Sequence, residues 1–281
     1  MLRYKAGLIA IDWSSNELPT LPVVAQKLLS VVSSSEVSTE EFAKCIRQDP
    51  SITMKILRVV NSALFSLSIE ISSVKHAIVL LGRREIRNIA FSYIMSQRFM
   101  SVPPEVTGYA EDLWRHSLAT AIIAQDFIPD GEKVDLYTLG LLHDVGWIVL
   151  MSQAPTLYLA MARDINEDVK EFQGQWGVDH EFWGAEISKR WNLPPEFHKV
   201  ALLHHDPFQD IDPPIYLLKI HLANYLAKIS GFKAFSMEPD PVLDPRILEM
   251  LDIDQDTITE AIAKVKKKKE YIDTLWRMLI S

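Results

Sequence analysis

The chain has 281 residues, of which 48% are hydrophobic and 23% are charged, and this is the composition of an ordinary globular protein. Its formal net charge of −8 argues against a general nucleic-acid binder, because neutralising phosphates requires a basic face. A single cysteine, Cys45, excludes an intramolecular disulfide and a cysteine-based zinc cluster.

The N-terminal segment "MLRYKAGLIAIDW" has a basic start, but its apolar run ends at Asp12 and no small-residue cleavage site follows. Elsewhere the chain has no run of ~18 apolar residues, the length that a membrane-spanning helix needs. We therefore expect no signal peptide, no membrane partner and a cytoplasmic location. The segment "GLIAI" is a candidate for extended structure.

Helical periodicity dominates the chain and predicts an all-α fold. In the first half, the predicted helices are "LPTLPVVAQKLLSVV", "SEVSTEEFAKCIRQDP", "SITMKILRVVNSALF" and "AIVLLGRREIRNIAFSYIMSQRF". The second of them contains a capping box, in which Ser38 is followed three residues later by Glu41. The fourth is interrupted at Gly82, because glycine is a poor residue for a helix interior.

Two prolines in "SVPPEV" predict a boundary between an N-terminal helical subdomain, residues 1–105, and a second helical subdomain that includes the C-terminal helix, residues 106–281. The helices predicted after this boundary are "EDLWRHSLATAIIAQDF", "DLYTLGLLHDVGWIVLM", "HEFWGAEISKRW", "PEFHKVALLHH", "PIYLLKIHLANYLAKI" and "TITEAIAKVKKKKEYIDTLWRMLI". The last is predicted to begin with a capping box of Thr257 and Glu260. We interpret its lysine run as a solvated helix surface, with a basic docking patch as the alternative.

Seven of the eight histidines follow residue 115, as a metal site in the second half would require. His143 and Asp144 are adjacent in an apolar run, where an unpartnered ionisable group is costly to bury. Neighbouring helical residues point about 100° apart, so this pair binds one ion only at a helix end, or else serves two ions. The alternative is that each histidine is a core residue bonded to a carbonyl or a carboxylate.

Several segments resemble known families. In the second half, "RHSLATA", "GLLHDVGW", "GVDHEFWGAEISKRWNLP" and "LLHHDP" resemble motifs of the HD superfamily of metal-dependent phosphohydrolases. In the first half, "LPTLPVVAQKLL", "IRQDPSITMKILRVVNSALF" and "VKHAIVLLGRREIRNIAF" resemble the HDOD domain, the HD-related output domain of bacterial signalling proteins. The resemblance covers about residues 17–230 and implies an N-terminal helical bundle packed against an HD-domain-like helical bundle.

The resemblance also implies a set of metal ligands. The positions that match catalytic HD enzymes, or the distantly similar HD-GYP phosphodiesterases, are His116, His143, Asp144, His180, His204 and His205. Where those enzymes place a later aspartate, the best match in this chain is Asn224. Asp112, four residues before His116, is a further candidate because it shares that helix face. The implied cofactor is a divalent transition metal, namely iron, manganese, nickel or zinc.

Two departures from the pattern argue against catalysis. Asn224 is neutral and a weak metal ligand, so the site lacks one negative charge that would offset a dication. Trp147 stands where HD-GYP enzymes have a lysine after the glycine of the His-Asp motif, and an indole cannot pair with a substrate phosphate.

From these features we expect a bacterial signal-transduction module that is non-catalytic, has a degenerate HD metal site and acts through a protein partner. The alternative is a metal-dependent phosphohydrolase that acts on a nucleotide or cyclic dinucleotide. For that activity, Arg83, Arg84 and Arg87 are candidate phosphate ligands, although a charged helix surface is the simpler explanation of them.

Overall fold

The computed structural model describes residues 18–32, 38–126, 134–164, 177–235 and 238–281. Within these ranges every regular element is a helix, which confirms the predicted all-α class. The predicted N-terminal features, including "GLIAI", lie outside the described residues.

The α-helices in chain order are α1 (Val23–Val32), α2 (Thr39–Arg47), α3 (Pro50–Val60), α4 (Val74–Phe99), α5 (Thr107–Asp126), α6 (Leu136–Leu142), α7 (Gly146–Gln153), α8 (Pro155–Asp164), α9 (His180–Arg190), α10 (Pro195–Leu203), α11 (Ile215–Ile229), α12 (Pro245–Leu251), α13 (Gln255–Lys267) and α14 (Lys269–Ile280). Short 3-10 helices span Pro104–Val106 and Pro207–Gln209. By contacts between residues, the chain divides into two compact units.

The smaller unit comprises Thr20–Met100 and Lys269–Ser281. Its α2 begins with the predicted capping box, since Glu41 N donates to Ser38 Oγ at 3.2 Å and Ser38 N donates to Glu41 Oε2 at 2.9 Å. Gly82 breaks the regular geometry of α4, as predicted, with a φ of 85° that favours glycine.

The C-terminal helix α14 belongs to this smaller unit, whereas the sequence prediction grouped it with residues 106–281. Its last carbonyls, which have no partner within the helix, accept bonds from two residues of the unit. Lys55 Nζ donates to Met278 O at 2.8 Å, and Ser96 Oγ donates to Leu279 O at 3.2 Å. The local signals that predict helices carry no information about such pairing between residues distant in the chain.

We expect Lys55→Met to lower the free energy of unfolding by about 1–3 kcal/mol, because the part-buried Met278 carbonyl would lose a donor that carries a charge. Lys75→Met is the matched control, since Lys75 is exposed and pairs with exposed Glu40 at 3.0 Å. That change should alter stability by less than about 1 kcal/mol. Urea unfolding of the two variants checks the prediction, and equal effects would contradict it.

The larger unit comprises Ser101–Lys268 together with the described residues of Met1–Pro19. In it, α5 packs against α6 and α11, and α9 packs against α7 and α10. The stretch predicted as one helix over "DLYTLGLLHDVGWIVLM" is instead two helices, α6 and α7. The break falls at His143, Asp144 and Val145, where His143 Nδ1 turns back to within 2.7 Å of the Gly140 carbonyl oxygen.

The predicted capping box at Thr257 and Glu260 is wrong. Helix α13 begins earlier, because Asp254 is its N-cap and accepts a bond from Thr257 N at 2.7 Å. The same terminal stretch, predicted as one helix, breaks at Lys268 into α13 and α14.

Across the described ranges, no single helix combines the length and the apolar character needed to cross a membrane, although the bent pair Leu136–Gln153 and Pro155–Ala162 meets that test jointly.

Candidate metal centre

Six side chains of the larger unit converge on one buried position. They form two overlapping groups, and within each group the possible ligand atoms lie within 4.8 Å of one another. Asp144 belongs to both groups and is the one carboxylate among their members. We call the six residues the histidine cluster; they are His116, His143, Asp144, His180, His204 and His205.

Helix ends bring most of these side chains together. His143 caps the C-terminus of α6, and Asp144 follows it in the break before α7. His180 is the first residue of α9, and His204 caps the C-terminus of α10. Because a helix end allows adjacent side chains to turn toward one point, His143 and Asp144 both reach the cluster. A single ion bound by both residues would require this position at a helix end.

The Asp144 carboxylate is the centre of the cluster. Its Oδ1 lies 3.1 Å from Nε2 of His180 and 3.1 Å from Nε2 of His204. Its Oδ2 lies 3.3 Å from Nε2 of His143 and 3.5 Å from Nε2 of His116. Each carboxylate oxygen therefore faces two imidazoles, which is the geometry of a carboxylate shared between two groups of ligands.

Backbone carbonyls fix which nitrogen of these rings faces the centre. Nδ1 of His116 lies 2.6 Å from Phe232 O, and Nδ1 of His204 lies 3.1 Å from both Val200 O and Ala201 O. His143 Nδ1 makes the same contact with Gly140 O. Since a carbonyl oxygen only accepts, Nδ1 carries a proton, and a ring that is neutral then presents its Nε2 lone pair to the cluster.

This donor set fits a transition metal ion. Nε2 of His116 and Nε2 of His143 lie 3.2 Å apart, so in the neutral tautomers two lone pairs face each other. A cation between them and Asp144 would remove that repulsion, and metal-bound histidines generally donate their other ring nitrogen to an oxygen, as these do. Imidazole nitrogens with one carboxylate suit iron, nickel or zinc better than magnesium or calcium.

The surroundings of His116, His204 and Asp144 keep these three ligands in the protonation states that metal binding needs. Burial lowers the pKa of His116 to about 3 and that of His204 to about 3, in both cases against the opposing effect of Asp144. Burial alone would raise the pKa of Asp144, but the surrounding histidines, with His143 first among them, hold it well below its usual range. His116 and His204 are therefore neutral and the Asp144 carboxylate is ionised around pH 7.

The metal-free protein should lose stability as the pH falls below about 6.5. In the unfolded chain His116 and His204 take up protons at their ordinary pKa, whereas in the folded protein they stay neutral until the pH approaches about 3. The unfolded state therefore binds more protons throughout this window. We expect a loss of at least ~1.4 kcal/mol per pH unit. Urea unfolding at pH 6.5 and 5.5 measures it, and a flat profile would contradict the assignment of buried neutral histidines.

Trp147 covers one side of the cluster. Its indole stacks on the His180 ring with centroids 4.5 Å apart and planes 8° apart. Phe235 packs edge-on against the indole at 4.9 Å. Trp147 is only 1% exposed, so its side chain is part of the core.

The other candidates are arranged differently. Asp112 belongs to neither ligand group, and burial raises the pKa of its carboxyl. Asn224 is buried on α11, and its Oδ1 has no hydrogen-bond partner among the described residues, so its role as a ligand stays a prediction. His198 Nδ1 lies 3.1 Å from Ala185 O, and His221 Nδ1 lies 2.7 Å from His204 O. These two histidines match the alternative of core residues bonded to carbonyls.

The three arginines proposed as phosphate ligands lie on α4, in the smaller unit, whereas the histidine cluster lies in the larger one. Arg87 is 2% exposed, and its Nε donates to Asn88 Oδ1 at 3.0 Å. Arg83 and Arg84 are exposed.

Two features of the site had not been predicted from the sequence. A Cβ on Gly146 would lie 1.9 Å from His180 O, so glycine is required where α7 crosses α9. Lys228 and Glu238 form a buried ion pair at 3.2 Å. The glycine that follows closely after the His-Asp pair is a signal for the close crossing of α7 and α9. No local pattern in the sequence marks the ion pair of Lys228 and Glu238.

Comparisons with known proteins agree with this architecture. The HDOD domain family model matches residues 18–207. An HDOD domain protein of unknown function from Geobacter sulfurreducens is similar in structure, with a TM-score of 0.77, 22% identity, and coverage of 95% of this chain and 94% of that one. A second similar structure is that of a protein from Marinobacter aquaeolei whose provisional name is signal transduction protein. It has a TM-score of 0.78 and 18% identity, and the match covers 94% of this chain and 60% of that one.

Among curated proteins, an uncharacterised protein from Treponema pallidum is 24% identical over 200 residues. The match covers 68% of this chain but 38% of that relative, so this chain corresponds to well under half of it. The family model covers more than half of the present chain, and its first residues coincide with the start of the described structure. The chain therefore belongs to the HDOD domain family, as its motifs predicted.

Proposed function

We propose that this protein is a regulatory module of bacterial signal transduction that acts by binding a protein partner, and that its histidine cluster holds a structural metal ion without hydrolysing phosphoesters. Membership of the HDOD family supports the regulatory role. The non-catalytic character is an inference from the surroundings of the cluster.

The observation that carries this proposal is the burial of the ligands. His116, His180 and His204 are 0% exposed, and His143 and Asp144 are 1% and 2% exposed. His205 is the partly exposed member. A phosphodiester that reacts at a metal must place its phosphorus beside the ion. Here the Trp147 ring, stacked on His180, occupies the space beside that ligand, and Phe235 packs edge-on against Trp147.

A metal ion in this cluster would be held by Nε2 of the histidines and by the Asp144 carboxylate, and it would supply binding energy that favours the folded state. The residues around it exclude water and hold the rings in place through their Nδ1 bonds. The helices that end at His143, His180 and His204 would thereby be fixed relative to one another within the larger unit.

A second function, phosphoester hydrolysis, is favoured by one observation. All six histidine and aspartate positions that match the catalytic families are retained, and all six come together. A structural site of one ion needs about four ligands, so the extra ligands suit a two-metal site.

An assay of the protein purified without chelator or a histidine tag distinguishes the two functions. We expect stoichiometric transition metal but no turnover of cyclic dinucleotides or of a generic phosphodiester. Turnover that His143→Ala abolishes, while the control His198→Ala retains it, would overturn the proposal in favour of an enzyme. Absence of metal would overturn the structural role of the cluster.

A further inference from the structure

The residues that follow helix α11 support the histidine cluster at two points. We call this segment, residues 230–235, the α11 turn. The carbonyl oxygen of Phe232 lies 2.6 Å from Nδ1 of His116, and Phe232 is fully buried. The ring of Phe235 packs edge-on against Trp147, the side chain that covers one side of the cluster. The α11 turn therefore bears on the cluster without contributing a ligand to it.

A glycine gives the α11 turn its shape. Gly231 has a φ of 88°, a left-handed conformation that strains residues with a side chain. Gly231 N donates to Lys228 O at 3.1 Å, and Phe232 N donates to Ala227 O at 3.0 Å. These two bonds are the hydrogen-bond pattern of a Schellman motif, a common way to end a helix. The motif places the Phe232 carbonyl where His116 can reach it.

Arg115 holds the α11 turn from the other side. It precedes His116 on α5, and its guanidinium carbon lies 4.6 Å from the centroid of the Phe232 ring. Its Nη1 also donates to Gly231 O at 3.4 Å, which is a long hydrogen bond. A guanidinium over the face of an aromatic ring is attracted to it electrostatically. Arg115 thus restrains both of the residues that lead to the Phe232 carbonyl.

The Phe232 carbonyl determines what His116 presents to the cluster. Nε2 of His116 lies 3.2 Å from Nε2 of His143. If the ring flipped, a C–H group would take the place of Nε2, and if the ring changed tautomer, Nε2 would carry a proton and could not bind a metal. The bond from Nδ1 to the carbonyl opposes both changes. Residues that restrain the carbonyl therefore act on the ligand.

We propose that Arg115 and Gly231 are positioning residues for the metal site, and that they act through the Phe232 carbonyl, which keeps His116 protonated on Nδ1 with Nε2 free. Neither residue supplies a ligand atom. Their effect on metal affinity rests on the proposed metal site, whereas their effect on the His116 ring is present without metal. The simpler alternative is that both residues only stabilise the end of α11.

Nitrogen NMR of the metal-free protein with isotope-labelled histidine separates these two roles. The two neutral tautomers of imidazole have distinct nitrogen shifts, and the His116 signals are identified by their loss in His116→Gln. We expect only the Nδ1-protonated form in the wild type, and a measurable fraction of the other tautomer in Arg115→Met and in Gly231→Ala. Arg115→Lys keeps a cation near the Phe232 ring, so it should lie between the wild type and Arg115→Met.

Zinc affinity is measured for the same variants by competition with a chromophoric chelator. Loss of a direct partner of a ligand histidine lowers metal affinity about 10–100-fold, so a residue acting one step further away should lower it about 3- to 10-fold. The control for Gly231→Ala is Gly82→Ala, which introduces similar strain, at a φ of 85°, in the smaller unit. The control for Arg115→Met is Arg246→Met on α12, because Arg246 lies 3.8 Å from the Phe208 ring centroid. Neither control should change zinc affinity.

An unchanged His116 tautomer in Arg115→Met and Gly231→Ala would overturn the proposal and leave both residues a stabilising contact of α11. A changed tautomer with unchanged zinc affinity, or an equal loss of affinity in the controls, would also overturn it. If Gly231→Ala does not fold, the two Arg115 variants decide. Wild-type protein that binds no metal would contradict the proposed structural ion, but the tautomer would still report the positioning role, so the two failures are distinguishable.

Discussion

Replacing Asp144 with asparagine should abolish metal binding. Asp144 is shared by both ligand groups, and its two oxygens face four imidazoles at 3.1 to 3.5 Å. The amide has the same shape but no charge, so the remaining ligands of both groups are neutral. Because even residues that only orient a ligand change metal affinity 10–100-fold, loss of this central ligand should weaken binding by at least ~100-fold.

The control for this change is Asp112→Asn, which removes a neighbouring carboxylate that belongs to neither ligand group. It should leave metal content unchanged. Both variants are measured by elemental analysis after dialysis against the same metal buffer. If Asp144→Asn retained one ion per chain, or if Asp112→Asn lost the ion to the same extent, the assignment of Asp144 as the central ligand would be wrong.

Gly146→Ala should be the most destabilising small substitution near the site. The added Cβ would lie 1.9 Å from His180 O and 2.6 Å from Gly184 N, and both are backbone atoms that no rotamer change can move aside. Helices α7 and α9 would have to separate. We expect a loss of about 3 kcal/mol or more in the free energy of unfolding, at the upper end for overpacking. His180 should also move away from the cluster, with reduced metal affinity.

Gly108→Ala is the matched control in the same unit. Gly108 lies on α5, and a Cβ there would meet nothing within 4 Å. Because alanine favours a helix over glycine, this variant should be unchanged or more stable by up to ~1 kcal/mol. Urea unfolding compares the two. A Gly146→Ala protein as stable as Gly108→Ala would show that the crossing of α7 and α9 tolerates a side chain.

Most of the fold could be predicted from local signals. The capping box at Ser38 and the interruption at Gly82 are encoded within a few residues, and each is where the sequence placed it. Helix α3, predicted through Phe65, ends at Val60, and its C-cap Asn61 bonds the backbone of Ile71 through both of its side-chain groups, at 2.7 and 2.8 Å. One error arose from competing local signals, because Asp254 rather than Thr257 is the N-cap of α13.

The residues of the candidate site could be predicted from the sequence, but the burial and the contacts of their side chains could not. Motif matches identified the six residues of the cluster, and their convergence is what the structure adds. Burial, the Nδ1 bonds to carbonyls and the stacking of Trp147 on His180 depend on contacts between distant parts of the chain. The same is true of α14, whose last carbonyls are bonded by Lys55 and Ser96. No periodicity or spacing reports such contacts.

The central claim is that a metal ion can bind in the histidine cluster while phosphoesters cannot reach it. X-ray absorption spectroscopy of the metal-loaded protein, with and without excess phosphate, tests it most directly. The account predicts a first shell of imidazole nitrogens with carboxylate oxygen, unchanged by phosphate. A phosphorus atom appearing beside the metal on addition of phosphate would contradict it.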